Sequence, residues 1–174
     1  MSILKIARMG HPVLSLKAEP VAKIESVDIQ ALVLDMHETM HDAGGAGLAA
    51  PQVHVPLRII VFQDPLCQEA EEKNSSSVLT LINPKLEILD SEYQYGMEAC
   101  LSLPGLAGEV PRAKRIGYSG ITHEGTIIER EAEGFHARVV QHEYDHLDGI
   151  LYPMRMEDLS TLAFSSELSR ISQN

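Results

Sequence analysis

His142-Glu-Tyr-Asp-His146, near the C-terminal end of a 174-residue chain, is the stretch from which the rest is best read. Phe135, Val139, His142 and His146 recur at helical spacing and Gly149 supplies a stop, so the stretch is predicted to lie on a helix. Histidines four residues apart share one helical face, so both rings can reach a single ion. Glu143, beside the first of them, then lies where it can take a proton from a water bound to that ion. A solvated helix carrying two histidines by chance is the bland alternative. The pattern is short, but its chemistry is specific.

Outward from this helix the chain reads as strands enclosed by helices. Ser26 is an N-cap for a helix to about Asp42, with Ile29, Leu32, Val33, Met36 and Met40 as its apolar stripe and Gly44-Gly45 as its end. His37 and His41 share that helix but lie one position off its apolar stripe, so they read as boundary residues. Residues 3–25, with Pro12 and Pro20, read as an extended segment with turns. Leu57 to Phe62 is a strand candidate, and Val78–Asn83 and Lys85–Asp90 read as two strands around Pro84. Polar residues 64–77 read as an exposed loop in which Cys67 is a plain thiol. Lys114–Thr122 and Thr126–Ala132 form a hairpin across His123-Glu124-Gly125, with His123 a solvated tip residue, and a short helix from about Glu157 to Leu168 closes the chain. The expectation is one α+β domain over residues 1–174, with antiparallel or mixed strands packed around a C-terminal metal-binding helix.

Composition narrows the functional classes. Fourteen basic against 25 acidic residues give a formal charge of −11, which argues against non-specific binding to nucleic acid or anionic membranes. No apolar run is long enough to span a bilayer, and the first residues lack a signal peptide's apolar core. With two cysteines and no export signal the expected compartment is the cytoplasm, where a free thiolate is available to bind metal.

Two histidines do not complete a catalytic metal site, which needs about three protein ligands and an open position. A histidine ten residues after His142 would be one solution, but that position is Tyr152, and a neutral phenol is a poor ligand. Glu167 on the last helix and Cys100 upstream are the other candidates. A thiolate binds iron or zinc well. Spacing leaves both open. Gly44 to Gln52, rich in small residues, fits close packing beside a buried site better than a phosphate cradle, since no strand leads in and no Lys-Ser/Thr follows.

Gly45-Ala-Gly-Leu-Ala-Ala-Pro-Gln52, Glu98-Ala-Cys-Leu-Ser102 and Gln141-His-Glu-Tyr-Asp-His-Leu-Asp-Gly149 resemble, in order, the three motifs of the peptide deformylases. The similarity runs from about residue 5 to residue 155. The resemblance implies a metal held by Cys100, His142 and His146, with water in the fourth position and Glu143 as general base and acid. It implies that the Gln52 amide and the Leu101 backbone N–H donate to the developing oxyanion, and that the backbone of Gly47 hydrogen-bonds the substrate. Phe135 and Val139, two turns and one turn before His142, are candidates to line the methionine pocket, with ordinary core as their plain alternative.

The implied reaction is removal of the N-formyl group from the formyl-methionine of newly made proteins, with release of formate. The implied metal is Fe²⁺, with Zn²⁺, Ni²⁺ or Co²⁺ able to occupy the site. The implied partners are nascent formylated polypeptides and transiently the ribosome. A metallopeptidase using Glu167, or a deformylase-like domain weakened by Ala99, are the rival readings.

The chain departs from the family pattern in four places. Ala99 replaces the usual glycine of the second motif, where its methyl is expected to crowd the substrate strand or demand a shift. His54 stands where many members have glycine, and Ala107 where many carry arginine. The tail Ser169-Arg-Ile-Ser-Gln-Asn174 is short and not basic, unlike the ribosome-docking helix of some members.

Overall fold

The computed structural model describes residues 2–64 and 78–171, with side chains described to residue 168. Its elements in chain order are α1 (Val27–Asp42), β1 (Gly47–Ala49), β2 (Ile59–Gln63), β3 (Val78–Ile88), β4 (Tyr93–Ala99), β5 (Leu106–Ala113), β6 (Arg115–Ile121), β7 (Ile127–Glu133), α2 (Gly134–Leu147), β8 (Ala163–Phe164) and α3 (Ser165–Ile171). The fold is α+β. A five-stranded antiparallel sheet, ordered β1-β2-β3-β6-β7, and a three-stranded antiparallel sheet, β4-β5-β8, meet around α2.

The larger sheet is covered on both faces, which explains the unbroken apolar run Ile59-Ile-Val-Phe62. Ile60 and Phe62 pack with Ala137, Val140 and Leu147 of α2, whereas Ile59 and Val61 pack with Val33, Met36 and Met40 of α1. Ser26 caps α1 by accepting from the Ile29 N–H, as the sequence predicts. A third cluster, including Val13, Leu14, Leu103, Val110, Leu151 and Tyr152, surrounds Cys100. Gly149 has φ +72°, and a Cβ there would lie 2.7 Å from the Ser15 carbonyl carbon, so the turn after α2 brings the chain against the N-terminal segment.

Several elements differ from expectation. Val78–Ile88 is one strand, not two: Pro84 interrupts the ladder, and the register shifts between Ile82 and Lys85. Asn83 absorbs the irregularity at φ +51°, its side chain accepting from the Val21 N–H and donating to the Val21 carbonyl. Strands β4 and β5 were not anticipated, because Gly96, Gly108 and Pro111 dilute their β signal. The Glu157–Leu168 segment is not one helix. Asp158 caps a short 3₁₀ turn, β8 pairs with Leu106 and Ala107, and helix begins at Ser165. Residues 65–77, with Cys67, lie outside the described residues, but Asp64 at the edge of the expected loop is fully buried and ion-paired with Arg130 at 2.7 Å. His123 is half-buried, not a free tip residue: its carbonyl accepts from Gln30, and its ring meets His37 edge-on.

Candidate active site

Helix α2 and the turn after β4 bring three donor groups together. The ligand atoms of Cys100, His142 and His146 all lie within 4.8 Å of one another, all three residues are buried, and Cys100 Sγ is 3.3 Å from His146 Nε2. Glu167 is exposed on α3 and outside this cluster. Tyr152 is buried without a hydrogen-bond partner among the described residues, and burial, with Cys100 and Glu98 nearby, pushes its phenol up to about 12, where it stays protonated. Of the two ligand candidates that spacing left open, Cys100 and Glu167, the cysteine is in place.

The donor set fits a transition metal. It pairs one sulfur with two imidazoles, and His142 already spends its Nδ1 on Glu98 Oε2 at 2.8 Å, which leaves Nε2 for the cluster. Glu98 in turn takes a two-pronged ion pair from Arg112, at 2.8 and 2.9 Å, and a third bond from Arg138 Nη1 at 2.8 Å. Arg112 extends the chain to Asp145, which also holds Arg155. Burial works against the Glu98 carboxylate, but Arg112 and His142 outweigh it and hold its pKa down to about 2. Burial likewise opposes charge on His142, yet the bonds to Cys100 and Glu98 raise it to about 10. Burial and the His142 charge push His146 well below its ordinary value.

Glu143 lies beside these donors, 5% exposed, with Oε2 buried and without a hydrogen-bond partner among the described residues. Burial raises its pKa to about 7, opposed only in part by His142, which suits a group that must both accept and return a proton. Gly47 leaves the room it needs: a Cβ there would fall 2.5 Å from Glu143 Oε1. Gln52 is anchored by its Oε1, which accepts from the Ala49 N–H at 2.9 Å. Its Nε2 donates to Ser102 Oγ at 3.1 Å and reaches Cys100 Sγ at 3.5 Å. Leu101 follows the cysteine directly and lines the same cavity of about 540 Å³.

Phe135 and Val139 also line that cavity. Phe135 is 70% exposed and so is not core, whereas Val139 packs in addition against the α2 core cluster. Ala99 is exposed on β4, beside the buried Glu98, and lines the cavity. His54 has φ +66° after the 3₁₀ turn Ala50–Val53, a left-handed conformation that favours glycine. Ala107 is buried between Ala99 and Ala163 in the small sheet.

Sequence reasoning passed over Glu98, Arg112, Arg138 and Asp145 as a network. Two signals were available: Glu98 sits inside the second motif, and Asp145 lies between the two histidines of the third.

Comparison with known proteins agrees with this geometry. The family model described as polypeptide deformylase matches residues 3–161. The chain is 49% identical over 167 residues to peptide deformylase 1 of Xanthomonas campestris pv. campestris, covering 96% of this chain and 98% of that protein. It is 45% identical to peptide deformylase 2 of Ralstonia nicotianae over 95% of this chain and 94% of that one. Among solved structures it resembles the actinonin-bound class I type b peptide deformylase from Acinetobacter baumannii, with TM-score 0.78 and 36% identity over 90% of this chain and all of that one. The peptide deformylase from Thermotoga maritima superposes with TM-score 0.80 and 35% identity, covering 91% of this chain and all of that one. With three motifs gathered at one donor cluster and relatives matched over nearly their whole length, the chain belongs to the polypeptide deformylase family.

Proposed function

We propose that this protein removes the N-formyl group from the formyl-methionine of newly made polypeptides and releases formate. The observation that carries this reading is the Cys100–His142–His146 cluster beside Glu143, whose buried Oε2 has no hydrogen-bond partner among the described residues. Cys100, His142 and His146 would hold the metal, for which Fe²⁺ is the proposed ion and Zn²⁺, Ni²⁺ or Co²⁺ are able to replace it. A thiolate offsets part of the ion's charge, which weakens zinc as a Lewis acid and is better tolerated by a softer transition metal. When bound, the ion would polarise the formyl oxygen and make water acidic enough to deprotonate near neutral pH.

The chain's own residues then divide the work. Glu143 takes the proton of the attacking water and passes one to the departing amine, a cycle supported by its burial and its pKa of about 7. Gln52 Nε2 and the Leu101 backbone N–H donate to the oxygen that becomes negative as the formyl carbon turns tetrahedral. Anchoring of Gln52 Oε1 on the Ala49 N–H supports this role by fixing the direction in which the amide points. The backbone of Gly47 aligns the peptide, while its missing side chain leaves Glu143 in place. Phe135 and Val139 give the methionine side chain apolar contact.

The expected setting is the cytoplasm, with nascent chains as substrate and a transient ribosome contact. No helix among the described residues is long and apolar enough to cross a membrane. Glu143→Gln and Cys100→Ser test the assignment: the first is expected to keep its metal and release no formate, the second to lose metal and activity together. Retention of metal and turnover by Cys100→Ser would remove the thiolate from the site.

A further inference from the structure

One side chain in the substrate cavity has no part in the chemistry above. Phe135, Arg138, Val139 and His142 form one stripe of α2 and all line the cavity, whose other walls include the apolar Met97, Leu103 and Leu106. Arg138 is the exception on that stripe: always cationic, yet only 9% exposed. Its Nη1 donates to Glu98 Oε1 at 2.8 Å, to the Val110 carbonyl at 2.8 Å and to the Gly96 carbonyl at 3.3 Å, and its Nη2 donates to the Gln94 carbonyl at 2.6 Å.

These bonds tie the guanidinium to β4 and β5 and fix its plane. Gly96 makes the seat possible, since a Cβ there would lie 3.0 Å from Arg138 Cζ and 3.2 Å from Nε. Gly96 has no positive φ, so its place on β4 is explained by this close approach. The Nε–H has no acceptor among the described residues and is not sealed in the interior. Glu98 joins the guanidinium to the ligand imidazole, its Oε1 on Arg138 and its Oε2 on His142. The cationic wall therefore stands one carboxylate away from the reacting end of the cavity.

We propose that Arg138, seated on Gly96, is a specificity-determining residue: it gives the side-chain pocket a hydrogen-bond donor, so that a side chain bearing an acceptor, such as methionine's thioether, is chosen over a hydrocarbon of the same length. This rests on the deformylase reading of the same cavity. Norleucine replaces the methionine sulfur by a methylene and changes little else. An apolar pocket takes it at least as well as methionine, whereas a pocket with a fixed donor rejects it by roughly 2- to 10-fold, the range of one net hydrogen bond.

The test compares formyl-Met-Ala-Ser with formyl-norleucine-Ala-Ser by kcat/KM, and the product peptides Met-Ala-Ser and norleucine-Ala-Ser by calorimetric Kd, on the metal-loaded full chain. Wild type is expected to favour methionine, with the difference in KM and Kd more than in kcat. Arg138→Leu is expected to bring the ratio to one or reverse it. Gly96→Ala, which keeps the charge and displaces the guanidinium, is expected to shrink the ratio and decides the matter if Arg138→Leu does not fold. A wild-type ratio of one, or a methionine preference unchanged in both variants, overturns the proposal. Arg138-dependent preference in Kd without formate release would sustain the pocket assignment while sinking the reaction, and absence of both formate and binding would sink both.

Discussion

Glu98 holds His142 in place: its Oε2 lies 2.8 Å from His142 Nδ1, while Arg112 grips the same carboxylate with two nitrogens. The ligand ring is thereby fixed in orientation and tautomer by a group that never needs to touch the metal. Glu98→Gln is expected to weaken metal retention by about 10- to 100-fold, measured by competition with a chelator. Glu98→Ala also takes the shared carboxylate from the buried Arg112 and Arg138, leaving Arg112 with Asp145 alone, and is expected to lower stability by about 3 kcal/mol in denaturant titration.

Gly47→Ala tests how closely Glu143 is seated. The added methyl falls 2.5 Å from Oε1 and 2.7 Å from Cγ, so the carboxylate must move. A misplacement of about 1 Å at the reacting centre is expected to lower kcat on the order of 100-fold, with metal content and melting behaviour close to wild type. Full activity in Gly47→Ala would show that the Glu143 position is not critical.

Gly149→Ala probes the helix stop. The residue needs φ +72°, and a methyl there meets the Ser15 backbone at 2.7 Å, where no flexible side chain can give way. A loss of at least about 2 kcal/mol is expected in urea unfolding. Since the turn carries the chain away from His146 and against residues 15–16, loosened metal binding is expected to accompany the loss.

These residues also show what the sequence could and could not reveal. Helix α2 was legible because Phe135, Val139, His142 and His146 recur at helical spacing and Gly149 ends it, although Phe135 is exposed. Its place at the centre followed from two histidines on one face with a carboxylate beside the first. The third ligand was not legible from spacing, because Cys100 arrives from the end of an edge strand, 42 positions before His142 and 46 before His146, and only the tertiary fold brings them together. Resemblance, and not periodicity, identified it. The ion pairs behind the ligands were hidden for the same reason: Glu98 meets Arg112 across a hairpin and meets Arg138 and His142 across a sheet–helix interface. Strand β3 was divided at Pro84 because a proline normally ends a ladder, and the Asn83 side chain that rescues it works through Val21, 62 residues away.

His37 gives the fold an acid-sensitive contact remote from the metal ligands. Burial, with the neighbouring His123, lowers its imidazole pKa to about 4, and its Nε2 lies 2.7 Å from Thr80 Oγ1. The folded value is below the unfolded one of about 6.5, so the unfolded chain binds more protons in between. The contribution is fully present above about pH 6.5 and is lost as pH falls towards about 4. Urea midpoints of wild type and His37→Gln at about pH 7.5 and about pH 4.5 measure it. The variant is expected to lose less stability over this interval, and equal losses would remove His37 as a source of acid sensitivity.

The Cys100–His142–His146 cluster and Glu143 are proposed to hydrolyse a formyl amide together. Formate release from formyl-Met-Ala-Ser, by protein purified anaerobically with Fe²⁺ and assayed for bound metal in the same sample, measures it most directly. Multiple turnovers of formate per bound iron are predicted, and metal-loaded protein that releases none would contradict the account.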